Sequence, residues 1–108
     1  MSGPGTVMDH RTEFHQGCAT LRVTGEIDSD SSPRLTTALA MCLESRPRQV
    51  TVSLAGATFC DCSGLNALLS AHYQAARRGV PLRVADVKAP MVARLFTLTG
   101  TDRTLGLN

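Results

Sequence analysis

The sequence has no tryptophan, one tyrosine and three phenylalanines, so aromatic residues make up only 4% of its 108 positions. A surface that binds nucleic acid by stacking bases needs more aromatic side chains than that. Charge of one sign is also missing. Eleven basic residues against nine acidic ones leave a net +2, too balanced for the basic stripe of a nucleic-acid or membrane-surface binder. No apolar run approaches the ~20 residues of a membrane span, and no charged-then-apolar leader opens the chain. A cytoplasmic protein with no membrane partner and no direct nucleic-acid partner is expected. The four cysteines, Cys18, Cys42, Cys60 and Cys62, do not form the dense pattern of a secreted disulfide scaffold. Cys60-x-Cys62 is too tight for the usual zinc spacing. Cys18 and Cys42 fall in a predicted strand and a predicted helix, where a reduced cysteine packs as a small hydrophobe. No metal and no cofactor is expected.

What the chain does have is 43% hydrophobic residues, enough for one domain with a real core. Residues 1–7 are rich in Gly, Ser and Pro and read as a flexible tail, with the domain covering 8–108. Glu13 to Gln16 reads as a short strand and Gln16-Gly17 as a turn. Ala19 to Glu26 alternates Leu21 and Val23 with Arg22 and Thr24, a second strand in a hairpin with the first. Ser32-Pro33 predicts a helix start with serine as cap and proline at the first helical position. Leu35, Leu39, Cys42 and Leu43 give that helix an apolar face, and Arg46-Pro47 stops it. Pro81 to Ala85 is another short strand. Pro90 opens a further helix, with Val92, Leu95, Phe96 and Leu98-Thr99 inward and Gly100 ending it. Thr104 to Leu107 reads as a last short strand. Strands alternating with helices imply an α/β domain with crossover connections, and the opening hairpin makes the sheet mixed.

The chain is organised around the stretch from Val50 to Ala76. Val50, Val52 and Leu54 alternate with Thr51 and Ser53, a strand pattern. Leu65, Leu68, Leu69 and His72 recur at helix spacing, so a short loop containing Asp61-Cys62-Ser63-Gly64 joins strand to helix. The helix ends at Arg77-Arg78-Gly79, with cations in its last turn and glycine beyond. Ser63 stands at or near the helix N-terminus, where the first backbone N–H groups lack intrahelical partners. A hydroxyl there serves as a cap or carries a phosphate, which such a terminus accommodates. Asp61 serves as a cap, or as a group that orients the Ser63 hydroxyl. His72, at the edge of the apolar face, is expected to pack and not to ligate. A serine or cysteine nucleophile at Ser63 or Cys62 is the enzymatic alternative. A nucleophile elbow, however, wants Gly-x-Ser-x-Gly, and here Asp61 stands in place of the first glycine. A base would have to be His10, His15 or His72, none in a recognisable setting.

Thr58-Phe59-Cys60-Asp61-Cys62-Ser63-Gly64-Leu65 resembles the phosphorylation loop of STAS domains, specifically bacterial anti-sigma factor antagonists. There an Asp-x-Ser/Thr-Gly-Leu segment follows a buried strand and opens a helix. Gly25-Glu26-Ile27-Asp28, followed by Pro33-Arg34-Leu35, is similar to the family's second motif, and the likeness runs from about Met8 to Leu107. The resemblance implies a single STAS-like domain, a small mixed sheet with helices packed largely on one face. It implies Ser63 as the phosphoacceptor, with Glu26, Asp28, Asp61, Cys62 and Gly64 on the partner-binding face, while Asn66 and Ser70, on the exposed side of the second helix, are further candidate partner contacts. Gly64, lacking a Cβ, would let another protein approach the hydroxyl. It further implies a regulatory binding protein without enzymatic activity. Unphosphorylated, such a protein captures an anti-sigma factor that is itself a serine kinase using Mg-ATP, and a serine phosphatase resets the switch. STAS domains also serve transporters and stress-sensing assemblies, which is the alternative partner class.

Overall fold

In the computed structural model, which describes residues 7–107, the chain opens with a hairpin. Strand β1 (Asp9–His15) runs antiparallel to β2 (Cys18–Ile27). They meet at Gln16 and Gly17, whose φ angles of 52° and 81° make the two-residue turn that matches strand twist. The first strand therefore begins well before Glu13, because pairing with β2 holds a polar segment that has no apolar alternation of its own. The tail expected over 1–7 lies outside the described residues apart from Val7, which bridges to Glu26.

Helix α1 (Ser32–Glu44) follows, then β3 (Gln49–Cys60), α2 (Cys62–Arg77), β4 (Leu82–Ala85), α3 (Pro90–Thr99) and α4 (Thr101–Thr104). The sheet order is β1-β2-β3-β4, with β2, β3 and β4 mutually parallel. Each parallel step is bridged by a helix, as such connections require. One face of the sheet carries Ala19, Leu21, Val50, Val52, Leu82 and Val84, all buried. The opposite face carries Thr20, Arg22, Thr51 and Arg83, which are half-buried or exposed. Helices α1 and α2 pack against each other and α3 against β3. The apolar stripes of α1 (Leu35, Leu39, Leu43) and α2 (Leu65, Leu68, Ala71, Ala75) join the sheet in one core with Val92, Phe96 and Leu105.

Four expectations need correcting. The helix cap is Ser31, not Ser32, and its side chain makes no bond to the helix N–H groups. It turns back into the preceding loop. The loop expected to contain Asp61-Cys62-Ser63-Gly64 shrinks to one residue: β3 runs on to Cys60 and α2 begins at Cys62, leaving Asp61 alone between strand and helix. Leu98, 72% exposed, and Thr99, also exposed, do not face inward. Thr104 to Leu107 is not a strand: the chain coils through α4, Leu105 is fully buried, and its carbonyl accepts from the Val84 N–H at 2.8 Å. That single bond at the edge of β4 mimics one rung of a strand without forming one.

Candidate functional site

The parallel strands β2 and β3 deliver two loops to one end of the sheet. Ile27 and Cys60 are paired neighbours there, so Asp28 and Asp61 leave the sheet side by side. The Asp61 N–H donates to the Ile27 carbonyl at 3.1 Å, which ties the loops together. Loops at the carboxyl ends of parallel strands are where sheets of this kind present their binding groups.

The loop after β2 is built on Asp28. Its Oδ1 accepts from the Ser31 N–H at 3.0 Å and the Asp30 N–H at 3.1 Å, an Asx turn. The Ser31 hydroxyl accepts from the Asp28 N–H at 2.9 Å and is buried. A bulge precedes the loop at Gly25, where φ is 82° and the register with β3 shifts. A left-handed residue is what such a bulge requires. Glu26 and Asp28 are half-buried. With Asp30, Arg34 and Met8 they border a shallow groove of about 230 Å³. Arg34 donates to the Met8 carbonyl at 3.0 Å.

The loop after β3 is a single residue. Asp61 is the N-cap of α2 in extended conformation. One oxygen, Oδ1, accepts from the Ser63 N–H at 2.9 Å, the Gly64 N–H at 3.2 Å and the Ser63 hydroxyl at 2.5 Å. The cap and the orienter of Ser63, alternatives on sequence grounds, are thus one carboxylate. The Ser63 hydroxyl, followed by the Gly64 and Ser63 N–H groups, holds Asp61 below the usual carboxylate range, against a smaller opposing push from desolvation. A carboxylate in that state is a weak base. His72 does not stand in for it: it lies nine residues along α2, roughly 14 Å by helix rise, with its Nδ1 at 3.1 Å from the Leu82 carbonyl. Ser63 is an oriented hydroxyl whose hydrogen-bond partner is this weakly basic carboxylate.

Cys62 and Asn66 are exposed and stand four residues apart, on one face of α2 beside Ser63. Cys60 is buried, and burial first, then the negative charges of Asp61 and Cys62, push its thiol up to about 12. It stays a neutral packing group. Gly64 is buried too. A Cβ there would stand 2.5 Å from Ile27 Cγ2 and 2.9 Å from Cys60 Sγ, so the missing side chain has a reason inside the fold. Sequence reasoning missed Ile27 and Ser31. The first ties the two loops together and receives Gly64. The second closes the Asp28 turn, and the Asp-x-x-Ser spacing was its signal. No group of three or more His, Cys, Asp or Glu among the described residues could hold a metal ion. No helix among them is long and apolar enough to cross a membrane.

Comparison with known proteins shows the family and the fold. The model of the family described as Mlab, STAS domain, matches residues 10–107. An anti-sigma F factor antagonist of Paenibacillus polymyxa is 29% identical over 89 residues, covering 82% of this chain and 75% of that protein. The crystal structure of an anti-sigma factor antagonist from Mycobacterium paratuberculosis superposes with a TM-score of 0.84 at 27% identity, covering 97% of this chain and 87% of the other. The Bacillus protein SpoIIAA shares the fold in both its forms. The unphosphorylated form gives a TM-score of 0.74 at 15% identity, covering 85% and 81% of the two chains. The phosphorylated form gives 0.68 at 14%, covering 85% and 84%.

Proposed function

This chain belongs to the STAS domain family, and from that membership we propose that it is an anti-sigma factor antagonist switched by phosphorylation of Ser63. Unphosphorylated, it captures an anti-sigma factor in the cytoplasm and so frees a sigma factor for transcription. The anti-sigma factor is also the kinase. It supplies the base and the Mg-ATP, phosphorylates the hydroxyl and lets go. A serine phosphatase restores the starting state. The chain itself is a binding protein and not an enzyme.

The observation that carries the reading is the Ser63 hydroxyl on the first turn of α2, hydrogen-bonded to the Asp61 cap. Glu26, Asp28, Asp61, Cys62 and Asn66 form the surrounding contact face, and Gly64 supports it from below. The face is acidic, which suits a basic partner surface. A phosphate brings roughly −1.5 to −2 charge to an oxygen that now donates to a carboxylate. It abolishes that donor, repels Asp61 and carries charge into a contact shaped for a neutral hydroxyl. Each 1.4 kcal/mol lost is about a tenfold drop in affinity, so a local change suffices to exchange partners.

The test is incubation with the cognate anti-sigma kinase and Mg-ATP, followed by phosphopeptide mapping and capture of the kinase by each form. The expected result is label on Ser63 alone and capture by the unphosphorylated form only. Label on Ser70 or Thr58 with Ser63 empty would overturn the assignment.

A further inference from the structure

We propose that the chain pairs with a second copy of itself along the free edge of β1, in an antiparallel, two-fold arrangement centred on Thr12 that continues the sheet from one molecule into the other. β1 is the outer strand of the sheet, and no other strand among the described residues pairs with its outer side. The two-residue turn makes His15 and Cys18 a mutually hydrogen-bonded pair, and the antiparallel alternation then turns the backbone groups of Asp9, Arg11 and Glu13 toward β2. Those of His10, Thr12 and Phe14 point outward. A two-fold axis through Thr12 brings these same three residues into hydrogen-bonding register: Thr12 faces the partner's Thr12, and His10 faces the partner's Phe14.

The side chains fit that register on both faces. On the polar face Arg11 stands opposite the partner's Glu13 and Asp9 opposite the partner's His15, each twice by symmetry. Arg11 and Glu13 are opposite charges directly across the pair, an arrangement that stabilises an antiparallel ladder. Edges are commonly protected by lysine, other charged side chains or proline; β1 has neither lysine nor proline, and its charges are of both signs and self-complementary in this register. On the other face, Thr12 lies 3.8 Å from Cys42 of α1, so this is the side that looks onto the helix. Phe14 is 58% exposed there and Met41 68%. A groove runs between β1 and α1, lined by His10, Pro33, Arg34, Thr37, Ala38 and Met41, mostly apolar with one guanidinium at its side. The partner's Phe14, opposite His10, enters that groove. Three features converge on one occupant: the unpaired backbone, the self-complementary Arg11 and Glu13 charges, and an exposed aromatic ring that this register sets over a mostly apolar groove. The edge includes neither Asp61 nor Ser63, so self-pairing and the Ser63 switch are separable by mutation.

Sedimentation equilibrium of the full chain between roughly 1 and 500 μM, the range of small transient interfaces, tests this. A monomer–dimer equilibrium is expected. Thr12→Pro removes an outward N–H without touching the β2 ladder, and Arg11→Glu places a carboxylate opposite the partner's Glu13. Each should weaken the dimer about tenfold or more. Glu13→Arg, which also loses its bridges to Arg11 and Arg22 of its own chain, should do the same alone. Mixed with the Arg11→Glu protein, it should form a heterodimer, because the two edges are then complementary again. Circular dichroism confirms that the variants fold, and if Thr12→Pro does not, the charge pair decides. A wild type that stays monomeric throughout overturns the proposal, as does a dimer indifferent to Arg11→Glu or a mixture that fails to recombine.

Discussion

Asp61 concentrates more of the site's physics than any other side chain. Its Oδ1 receives three donors, two of them orphan N–H groups of the first helical turn that have no other partner. Asp61→Ala should cost about 1 kcal/mol at neutral pH, the usual loss of a good cap. Asp61→Asn should cost less, since asparagine also caps, but should remove the pH dependence. The sign follows from the lowered carboxyl pKa. In the folded protein Asp61 holds its proton less tightly than in the unfolded chain. Its contribution is complete above the ordinary aspartate value of about 3.9 and fades as pH falls through the folded value. Urea unfolding of the wild type and Asp61→Asn between about pH 6 and pH 3 checks this: the gap between the two curves should close toward the acid end. A gap that stays constant would mean that the charge contributes nothing and that only the shape of the cap matters.

At the scale of elements, what matters is how closely α2 approaches the end of β2. Gly64 sets that distance, since a methyl group there would overlap Ile27 Cγ2 and Cys60 Sγ, and buried backbone and side chains on both sides leave little room to move. Gly64→Ala should therefore destabilise by about 1–3 kcal/mol, as overpacking of a filled core does, despite alanine's better helix propensity. Ile27→Leu, which removes the colliding branch, should recover part of the loss when combined with it, and thermal melts of the two single variants and the double variant measure that coupling. A Gly64→Ala protein as stable as the wild type would show that α2 is free to shift. This approach was not legible in the sequence, which displays Gly64 only as a residue beside a serine. Legibility elsewhere followed how far each element's own pattern reached. Val50, Val52 and Leu54 announced β3, but Ala55, Gly56 and Thr58 are exposed and the register with β2 shifts beyond Ser53, so the alternation that defines a strand breaks although the hydrogen bonding continues. β1 is polar almost throughout and exists because β2 pairs with it. Leu105 and Leu107 alternate like a strand, yet Leu105 fills the core from the end of a short helix. The two acidic loops were legible as motifs. Their meeting through the Ile27 carbonyl depends on strand register, which single residues do not display.

At the scale of the molecule, the question is whether a change at Ser63 travels through the fold or stays at the surface. The packing argues that it stays. Leu65, Leu68, Ala71 and Ala75 anchor α2 in the core, all on the inward side, while Ser63 and Asn66 belong to its first two turns, at the end of the sheet where β2 and β3 finish. Ser63→Ala removes one hydroxyl bond to Asp61 but leaves the two backbone bonds of the cap, a loss of about 1 kcal/mol and a fall of a few degrees in Tm. Ser63→Asp loses the same bond and sets two carboxylates side by side, while the positive end of the helix dipole offsets part of that repulsion, so its Tm should fall only modestly further. The two variants should part company in binding. The alanine variant should hold the anti-sigma factor at nearly wild-type affinity and keep it, since nothing can release it. The aspartate variant should bind at least about tenfold more weakly, because it brings a charge next to Asp61 into a contact made for a neutral group. Calorimetric titration of both variants against the anti-sigma factor, with parallel melts, separates the effects. Equal affinities would remove the electrostatic basis of the switch. An aspartate variant that unfolds would make Ser63 a structural residue of the cap, and the regulatory reading of the whole molecule would go with it.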